Sequence, residues 1–210
     1  SLKLNLLLLF IFNSSSAQVT PRISCIYARS VISGFTHYVC EASMNNPDGF
    51  DGFTEIAGAH LPGMTNADVT SFMRRNETST IIPRVICSQF PNLLRADFSN
   101  FEIQSITNDP FSQCGSLTWI RVFNNRISVI SEATFSNNRG LTYLDIANNQ
   151  LTSLPGRIFE GMSQLDTLDL RNNLLEVVPG ETFQTLINLR LLYLNNNRIS
   201  SINPAWSSNL

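Results

Sequence analysis

A repeat with a fixed 24-residue period organises the second half of the chain. Four segments, LTWIRVFNNRI, LTYLDIANNQL, LDTLDLRNNLL and LRLLYLNNNRI, begin one such period apart, at Leu117, Leu141, Leu165 and Leu189. An imperfect fifth copy, LLRADFSNFEI, begins at Leu93 with the same spacing. A period of this length indicates stacked units that bury one continuous core between them, rather than separate domains.

The apolar residues of each copy fall at constant positions, numbered here from its first leucine. Positions 4 and 6 alternate as a short strand with one face inward; in the copy at Leu141 they are Leu144 and Ile146. Positions 11 and 14 are apolar in every copy, and position 19 is phenylalanine in four. One copy cannot bury this set alone, so the pattern predicts neighbouring copies stacked along a parallel sheet.

This pattern resembles the leucine-rich repeat family in its 24-residue form. The resemblance implies an α/β-type solenoid, a curved horseshoe with a parallel β-sheet on the concave face and irregular or 3-10 turns on the convex face. It covers five repeats, namely 93–116, 117–140, 141–164, 165–188 and a truncated 189–210. Residues 69–92 keep the register faintly and are interpreted as a degenerate first repeat. The array stops in mid-repeat, so we expect the natural protein to continue.

Two asparagines follow most of the predicted strands. The second, at position 9, lies where backbone groups lose their strand partners, and an amide can satisfy its own turn and the next coil. We therefore predict a structural ladder of Asn125, Asn149, Asn173 and Asn197, with Phe101 in that place in the first copy. For position 8 two interpretations stay open: left-handed turn geometry, or a polar rim beside a ligand surface.

Residues 18–68 do not follow the repeat and are predicted to form an N-terminal cap. ISCIYARS and HYVCEASM, joined through VISGFT, indicate the two strands of a hairpin, with Cys25 and Cys40 placed symmetrically on its arms. Four cysteines in a secreted chain imply two disulfides with three connectivities. The short-range pairing Cys25–Cys40 and Cys87–Cys114 is favoured, and the absence of a CxxC pair argues against a metal site.

The front end resembles that of secreted insect repeat proteins, including the leucine-rich immune proteins of flies and mosquitoes. The segments CIYARS, HYVCEAS, IAGAH and VICSQF carry this resemblance. It implies an extracellular role, with innate immunity as one setting. Those immune proteins also have a cysteine cluster and a coiled coil after the repeats, which this sequence does not contain up to Leu210.

Residues 1–17 are predicted to be a signal peptide. Lys3 precedes the apolar run LNLLLLFIF, and NSSSA ends in small residues suited to cleavage. We therefore expect a secreted protein, with a glycosylation sequon at Asn76. No later run is apolar enough to insert into a membrane. A formal net charge of −2 gives no reason to expect a nucleic-acid partner.

The side chains available argue against an enzyme. Lys3 is the only lysine, so the mature chain has no lysine for a P-loop or a Schiff base. His37 and His60 lie in the predicted cap without a recognisable catalytic motif. No cofactor or metal is expected. A histidine-assisted serine hydrolase is the remote catalytic alternative.

Positions 3, 5 and 7 of each strand are predicted to face the concave side. Tryptophan, tyrosine and arginine are common at interface hot spots, and several occur here. The predicted ligand-binding set is Trp119, Arg121, Phe123, Tyr143, Asp145, Asp169, Arg171 and Tyr193. The alternative is ordinary cross-strand packing of aromatics beside salt-bridged neighbours.

The sequence thus favours a secreted, non-catalytic protein that recognises another protein or extracellular macromolecule through its concave face. A homodimer, or a heterodimer with another leucine-rich repeat protein, is a further expectation. Two alternatives stay open: the ectodomain of a membrane receptor, and a matrix protein that works by self-association. Repeat scaffolds accept many partners, so the ligand cannot be read from the fold.

Overall fold

The chain is a solenoid whose coils share one sheet, as a computed structural model shows. The structure describes residues 22–32, 34–45, 56–76, 79–201 and 203–208, so the predicted signal peptide lies outside the described residues. The strands are β1 Arg22–Ile32, β2 Phe35–Asn45, β3 Ser71–Asn76, β4 Arg95–Asp97, β5 Ser105–Ile106, β6 Trp119–Arg121, β7 Val129–Ile130, β8 Tyr143–Asp145, β9 Thr167–Asp169 and β10 Leu191–Tyr193. The helices are α1 Val85–Gln89 and two 3-10 turns, Asn66–Asp68 and Pro204–Ser208.

Eight of these strands form a single sheet in the order β1-β2-β3-β4-β6-β8-β9-β10. Only β1 and β2 are antiparallel, and β2 pairs with β3 in parallel through Val39 and Ser71. From β3 onward, position 3 of each strand pairs with position 3 of the next. On the opposite side β5 pairs with β7. The concave strands of the regular repeats are short because each coil must turn back within a single repeat. The predicted repeat solenoid with its hairpin cap is confirmed.

The core runs between the sheet and the convex turns. Leucine, isoleucine and valine side chains at positions 1, 4 and 6 are fully buried in the coils from residue 117 to residue 188. The position-19 phenylalanines stack in pairs behind them, with ring centroids 5.9 Å apart for Phe111–Phe135 and 6.3 Å for Phe159–Phe183. Trp206 continues this column edge-to-face on Phe183. Burying each phenylalanine between coils contributes roughly 1.5–3 kcal/mol of stabilisation.

The position-9 asparagines form a buried ladder. The Asn149 Oδ1 accepts the N–H of Ile127 at 3.0 Å, while its Nδ2 donates to the Val122 and Ile146 carbonyls at 3.0 and 3.1 Å. The same arrangement recurs at Asn125, Asn173 and Asn197. Each amide therefore bridges its own turn to the preceding coil. We expected the next coil, but the Ile127 N–H and the Val122 carbonyl that Asn149 satisfies belong to the preceding one.

The position-8 asparagines adopt left-handed backbone geometry. Their φ angles lie between 53° and 63°, at Asn100, Asn124, Asn148, Asn172 and Asn196. Asparagine is the non-glycine residue that best tolerates this region. The Asn124 Nδ2 also donates to the Asn100 Oδ1 at 2.6 Å. Turn geometry alone accounts for asparagine at this position.

The cap is the β1–β2 hairpin, turned at Gly34 with φ +83°. A disulfide joins Cys25 to Cys40. The pair is diagonal rather than symmetric, because Cys25 lies opposite Ala42 and Cys40 lies opposite Tyr27. Because β2 runs parallel to β3, the cap extends the repeat sheet instead of closing it with a separate layer.

A ring cluster packs the hairpin onto the segment that follows it. The Tyr27 and His60 rings stack with their centroids 3.9 Å apart, and the Tyr38 hydroxyl lies 3.1 Å from the His60 Nδ1. Gly58 passes so close that an added Cβ would lie 2.5 Å from the Cys25 carbonyl oxygen. His60 therefore has a packing role.

Residues 69–92 contain buried residues at the core positions of the repeat, with a cysteine in place of the phenylalanine. Val69, Phe72, Ile82 and Phe90 are buried at the positions that the register predicts. Cys87, in α1, bonds to Cys114 of the next coil, which is the second pairing that the sequence favours. Asn76 ends β3, and its side chain lies outside the described part.

Candidate functional site

The parallel register brings the concave side chains into continuous rows. Position 3 aligns Arg95, Trp119, Tyr143, Thr167 and Leu191 on adjacent strands. Position 5 aligns Asp97, Arg121, Asp145, Asp169 and Tyr193 in the same way. Neighbouring members of a row lie about 4.8 Å apart, so their side chains contact each other directly.

The centre of the position-3 row is a stack of three planar groups. The Trp119 and Tyr143 rings are nearly parallel, with an interplanar angle of 8° and centroids 5.2 Å apart. The Arg95 Cζ lies 4.1 Å from the centroid of the Trp119 ring, on its other side. The three side chains are half-buried, so much of their surface remains available to a ligand. Partial burial raises the pKa of Tyr143, with Asp145 adding to the effect.

Arg121 lies between two carboxylates of the position-5 row. Its Nε donates to the Asp145 Oδ2 at 3.1 Å, and its Nη1 lies 3.9 Å from the Asp97 Oδ2. The Arg121 Cζ also lies 4.7 Å from the centroid of the Phe123 ring. A planar guanidinium can hold a carboxylate and an aromatic face at the same time. This fixes Arg121 before any partner arrives.

A second arginine–aromatic pair lies two strands further along the sheet. The Arg171 Nε donates to the Asp169 Oδ2 at 2.7 Å, and its Cζ lies 4.9 Å from the Tyr193 ring centroid. Its hydrogen bond to Asp169 raises the pKa of Arg171. The predicted residues thus form two clusters: Trp119, Arg121, Phe123 and Tyr143, then Arg171 and Tyr193.

Asp145 and Asp169 have a different place from the one we expected. They are only 4% and 3% exposed. The Asp145 Oδ1 accepts the N–H of Ala147 at 3.0 Å, and the Asp169 Oδ1 accepts that of Arg171 at 3.1 Å. Burial raises the pKa of Asp145, although the Ala147 amide and Arg121 act in the opposite direction. These carboxylates anchor the strand ends and the arginines, so a ligand would meet arginine and aromatic surface rather than acid.

Arg95 also belongs to the position-3 row, but the predicted set does not include it. It occupies concave position 3 of the first copy, and its alignment with Trp119 follows from the 24-residue spacing. That copy departs from the repeat pattern, with Phe101 at position 9, which makes its strand a weaker candidate by sequence. The register alone is nevertheless sufficient to find Arg95.

Among the described residues, no group of three or more histidine, cysteine, aspartate or glutamate side chains could hold a metal ion. All four cysteines are joined in disulfides. Within the same residues, no helix is long and apolar enough to cross a membrane.

Comparison with known proteins supports this architecture. Residues 116–175 and 163–210 match the family model described as leucine rich repeat. The fold is a leucine-rich repeat solenoid. A comparison with curated proteins finds no match. Domains of this kind are generally protein-interaction modules, and no enzyme family is indicated.

Two solved structures of mosquito leucine-rich repeat proteins are similar to the chain. The crystal structure of the LRIM1/APL1C complex gives a TM-score of 0.73 at 23% identity, covering 87% of this chain and 32% of that one. The APL1 leucine-rich repeat domain gives 0.70 at 22% identity, covering 87% and 44%. The chain therefore spans less than half the length of either protein. At this identity the likeness shows the fold alone.

Proposed function

We propose that this is a secreted, non-catalytic recognition protein that binds another protein through the concave face of its repeats. Residues 1–17 serve as the signal peptide and Asn76 carries a glycan. The single observation that carries the proposal is the half-exposed stack of Arg95, Trp119 and Tyr143. Large aromatic groups on an open sheet are costly to hydrate, and a partner that covers them gains that burial.

The local ion pairs strengthen the proposal. Arg121 and Arg171 are held by buried carboxylates and lie on aromatic rings. Binding therefore requires little ordering of these long side chains, which reduces the entropic cost of an interface. Cross-strand packing alone accounts for the contacts within the sheet, but it leaves the outer surfaces of Trp119 and Tyr143 uncovered.

By analogy with the two matched structures, we extend the proposal to a role in innate immunity and to a first partner to test. One of them is a complex between LRIM1 and APL1C. By analogy, a second leucine-rich repeat protein is the first partner class to examine for this chain.

The test is quantitative capture of partners from extracellular fluid of the source organism. Wild-type chain, a Trp119→Ala/Tyr143→Ala variant and an Ile187→Ala variant are immobilised in equal amounts. Ile187 is exposed and apolar but lies away from the strands, so it is the matched control. We expect the Ile187→Ala control to capture as much partner protein as the wild type. The double variant should capture at least ten-fold less. Equal capture by the wild type and both variants would exclude the concave stack as the binding surface.

A further inference from the structure

A cleft lies where the hairpin tip projects beyond the repeat sheet. β3 pairs with β2 only from Val39 onward, so the first residues of β2 extend past the start of β3. The space beneath them has a volume of about 420 Å³ and reaches across the sheet to Arg95 and Thr118. The cleft is therefore continuous with the position-3 row at Arg95.

Arg95 is the dominant polar group of this cleft. Its guanidinium lies on the Trp119 ring, but it makes no hydrogen bond or ion pair with any residue that the structure describes. Burial lowers the pKa of Arg95, which reflects the cost of keeping this charge partly out of water. The Asp97 carboxylate, on the same strand, attracts Arg95 but forms no ion pair with it; it accepts the N–H of Ser99 and lies near Arg121. A partly buried charge without a hydrogen-bonded counter-ion favours an anionic ligand.

The remaining polar lining carries no negative charge. His37 is nearly buried, and its Nδ1 lies 3.1 Å from the Thr70 Oγ1. Burial and the Arg95 charge both lower the pKa of His37. Thr118 adds a hydroxyl, and no acid among the described residues lines the cleft; Glu41, the acid of β2 on this face, lies further along the strand. The cleft thus offers one permanent positive charge and several neutral donors.

The outer wall of the cleft is apolar. Phe35 is 73% exposed, Leu94 is 36% exposed, and Ile32 is half-buried beside them. One unpaired arginine matches the charge of a single carboxylate and provides two parallel N–H donors for it. A phosphate dianion would need more positive charge than the cleft has. The apolar wall requires that the carboxylate be attached close to an apolar group.

We propose that the cleft binds a carboxylate of the protein partner that stands next to an apolar side chain. This inference rests on the proposed concave-face recognition and adds the chemistry of one contact. Arg95 holds the carboxylate while its other face stays on Trp119. Phe35 and Leu94 cover the neighbouring apolar side chain.

The test is an NMR titration of the disulfide-bonded protein with acetyl-Leu-Glu-amide. Acetyl-Leu-Gln-amide is the matched uncharged probe, and N-acetyl-leucine distinguishes a chain-end carboxylate from a side-chain one. We expect saturable binding of a carboxylate probe with a Kd of about 1 mM, typical of a small fragment, and at least ten-fold weaker binding of the Gln probe. The pKa of His37 should rise on saturation, because the bound carboxylate neutralises Arg95.

Variants locate the binding. Arg95→Gln should abolish it, whereas Arg126→Gln, which removes an exposed arginine paired with Glu102, should leave it unchanged. Leu94→Ser keeps Arg95 and should weaken binding several-fold. Equal binding of the Glu and Gln probes, equal binding of inorganic phosphate, or retention in Arg95→Gln would each overturn the inference.

The outcome is separable from that of the proposed function. Absence of probe binding, together with partner capture that depends on Trp119, would refute carboxylate binding in the cleft. It would leave the proposed concave-face recognition intact. Probe binding at Arg95 without Trp119-dependent capture would refute concave-face recognition and with it the assignment of the carboxylate to that partner.

Discussion

The front end and the regular repeats close their coils in different ways. From Asn125 onward every turn is tied to the previous coil by an asparagine amide. In the coil before it, Phe101 occupies the same position, fully buried, with its ring centroid 5.8 Å from that of Phe98. The two disulfides also lie in this first part. One repeat position therefore accepts either a polar network or aromatic packing, provided that the neighbouring groups are complementary.

The largest effect is expected from removing the aromatic closure. Phe101→Ala should lower the free energy of unfolding by roughly 3–5 kcal/mol, as for other buried phenylalanines. Phe101→Asn should cost about as much, because its surroundings are rings such as that of Phe98. Urea denaturation measures both. Phe35→Ala, at an exposed ring, is the control and should change little. A neutral Phe101→Asn would mean that the asparagine ladder can extend into the front end.

The second largest effect is expected from the covalent link between the first coils. Cys87→Ala/Cys114→Ala opens a link between residues 27 apart, which the chain-entropy relation values at roughly 3–4 kcal/mol. Because coils contact mainly their neighbours, the loss should concentrate in residues 69–116. Hydrogen exchange resolves this, with amides of residues 141–188 as the internal reference. A uniform loss of protection along the chain would show that front end and repeats unfold as one unit.

Breaking the ladder inside the regular region should cost less. Asn149→Ala leaves the Ile127 N–H without its acceptor, while the Val122 and Ile146 carbonyls each lose one of two amide donors. Such unsatisfied buried groups cost roughly 1–3 kcal/mol. Asn148→Gly is the matched control, since glycine also accepts its φ of 55°, and it should change stability by only a few tenths of a kcal/mol. Thermal and urea unfolding of the two variants give the comparison; equal losses would assign both asparagines the same role.

The smallest effect is a pH dependence confined to the front end. Both histidines of the chain lie there, and the pKa of His37 is lowered, chiefly by burial and also by Arg95. The unfolded state therefore binds the proton more tightly, so the stability contributed by neutral His37 is present above pH 6.5 and is lost as the pH falls below it. His37→Asn should flatten this part of the profile between pH 7.5 and pH 5.5. An unchanged slope would show that other titratable groups cause the pH dependence of stability in this range.

Much of the fold could be read from spacing. The 24-residue register located β4, β6, β8, β9 and β10, and turn chemistry located the hairpin, because both depend on local pattern. The predicted partner coil of the asparagine amides was wrong, because spacing does not say which neighbouring coil an amide reaches. Burial of Asp145 and Asp169 was missed for a related reason: a position on the concave side says nothing about which side chain covers it.

The sequence by itself determined the solenoid, its register and the rows of side chains on the concave face, because a repeated pattern can bury its apolar positions only by stacking. Tertiary structure decided what those rows present. The Asp145 and Asp169 carboxylates are buried in hydrogen bonds with backbone N–H groups and arginines, and the Trp119 and Tyr143 rings are half-buried. Arg95 lies under the hairpin tip without an ion-pair partner among the described residues. These outcomes depend on contacts between strands and between cap and coil, which arise only when separate parts of the chain meet.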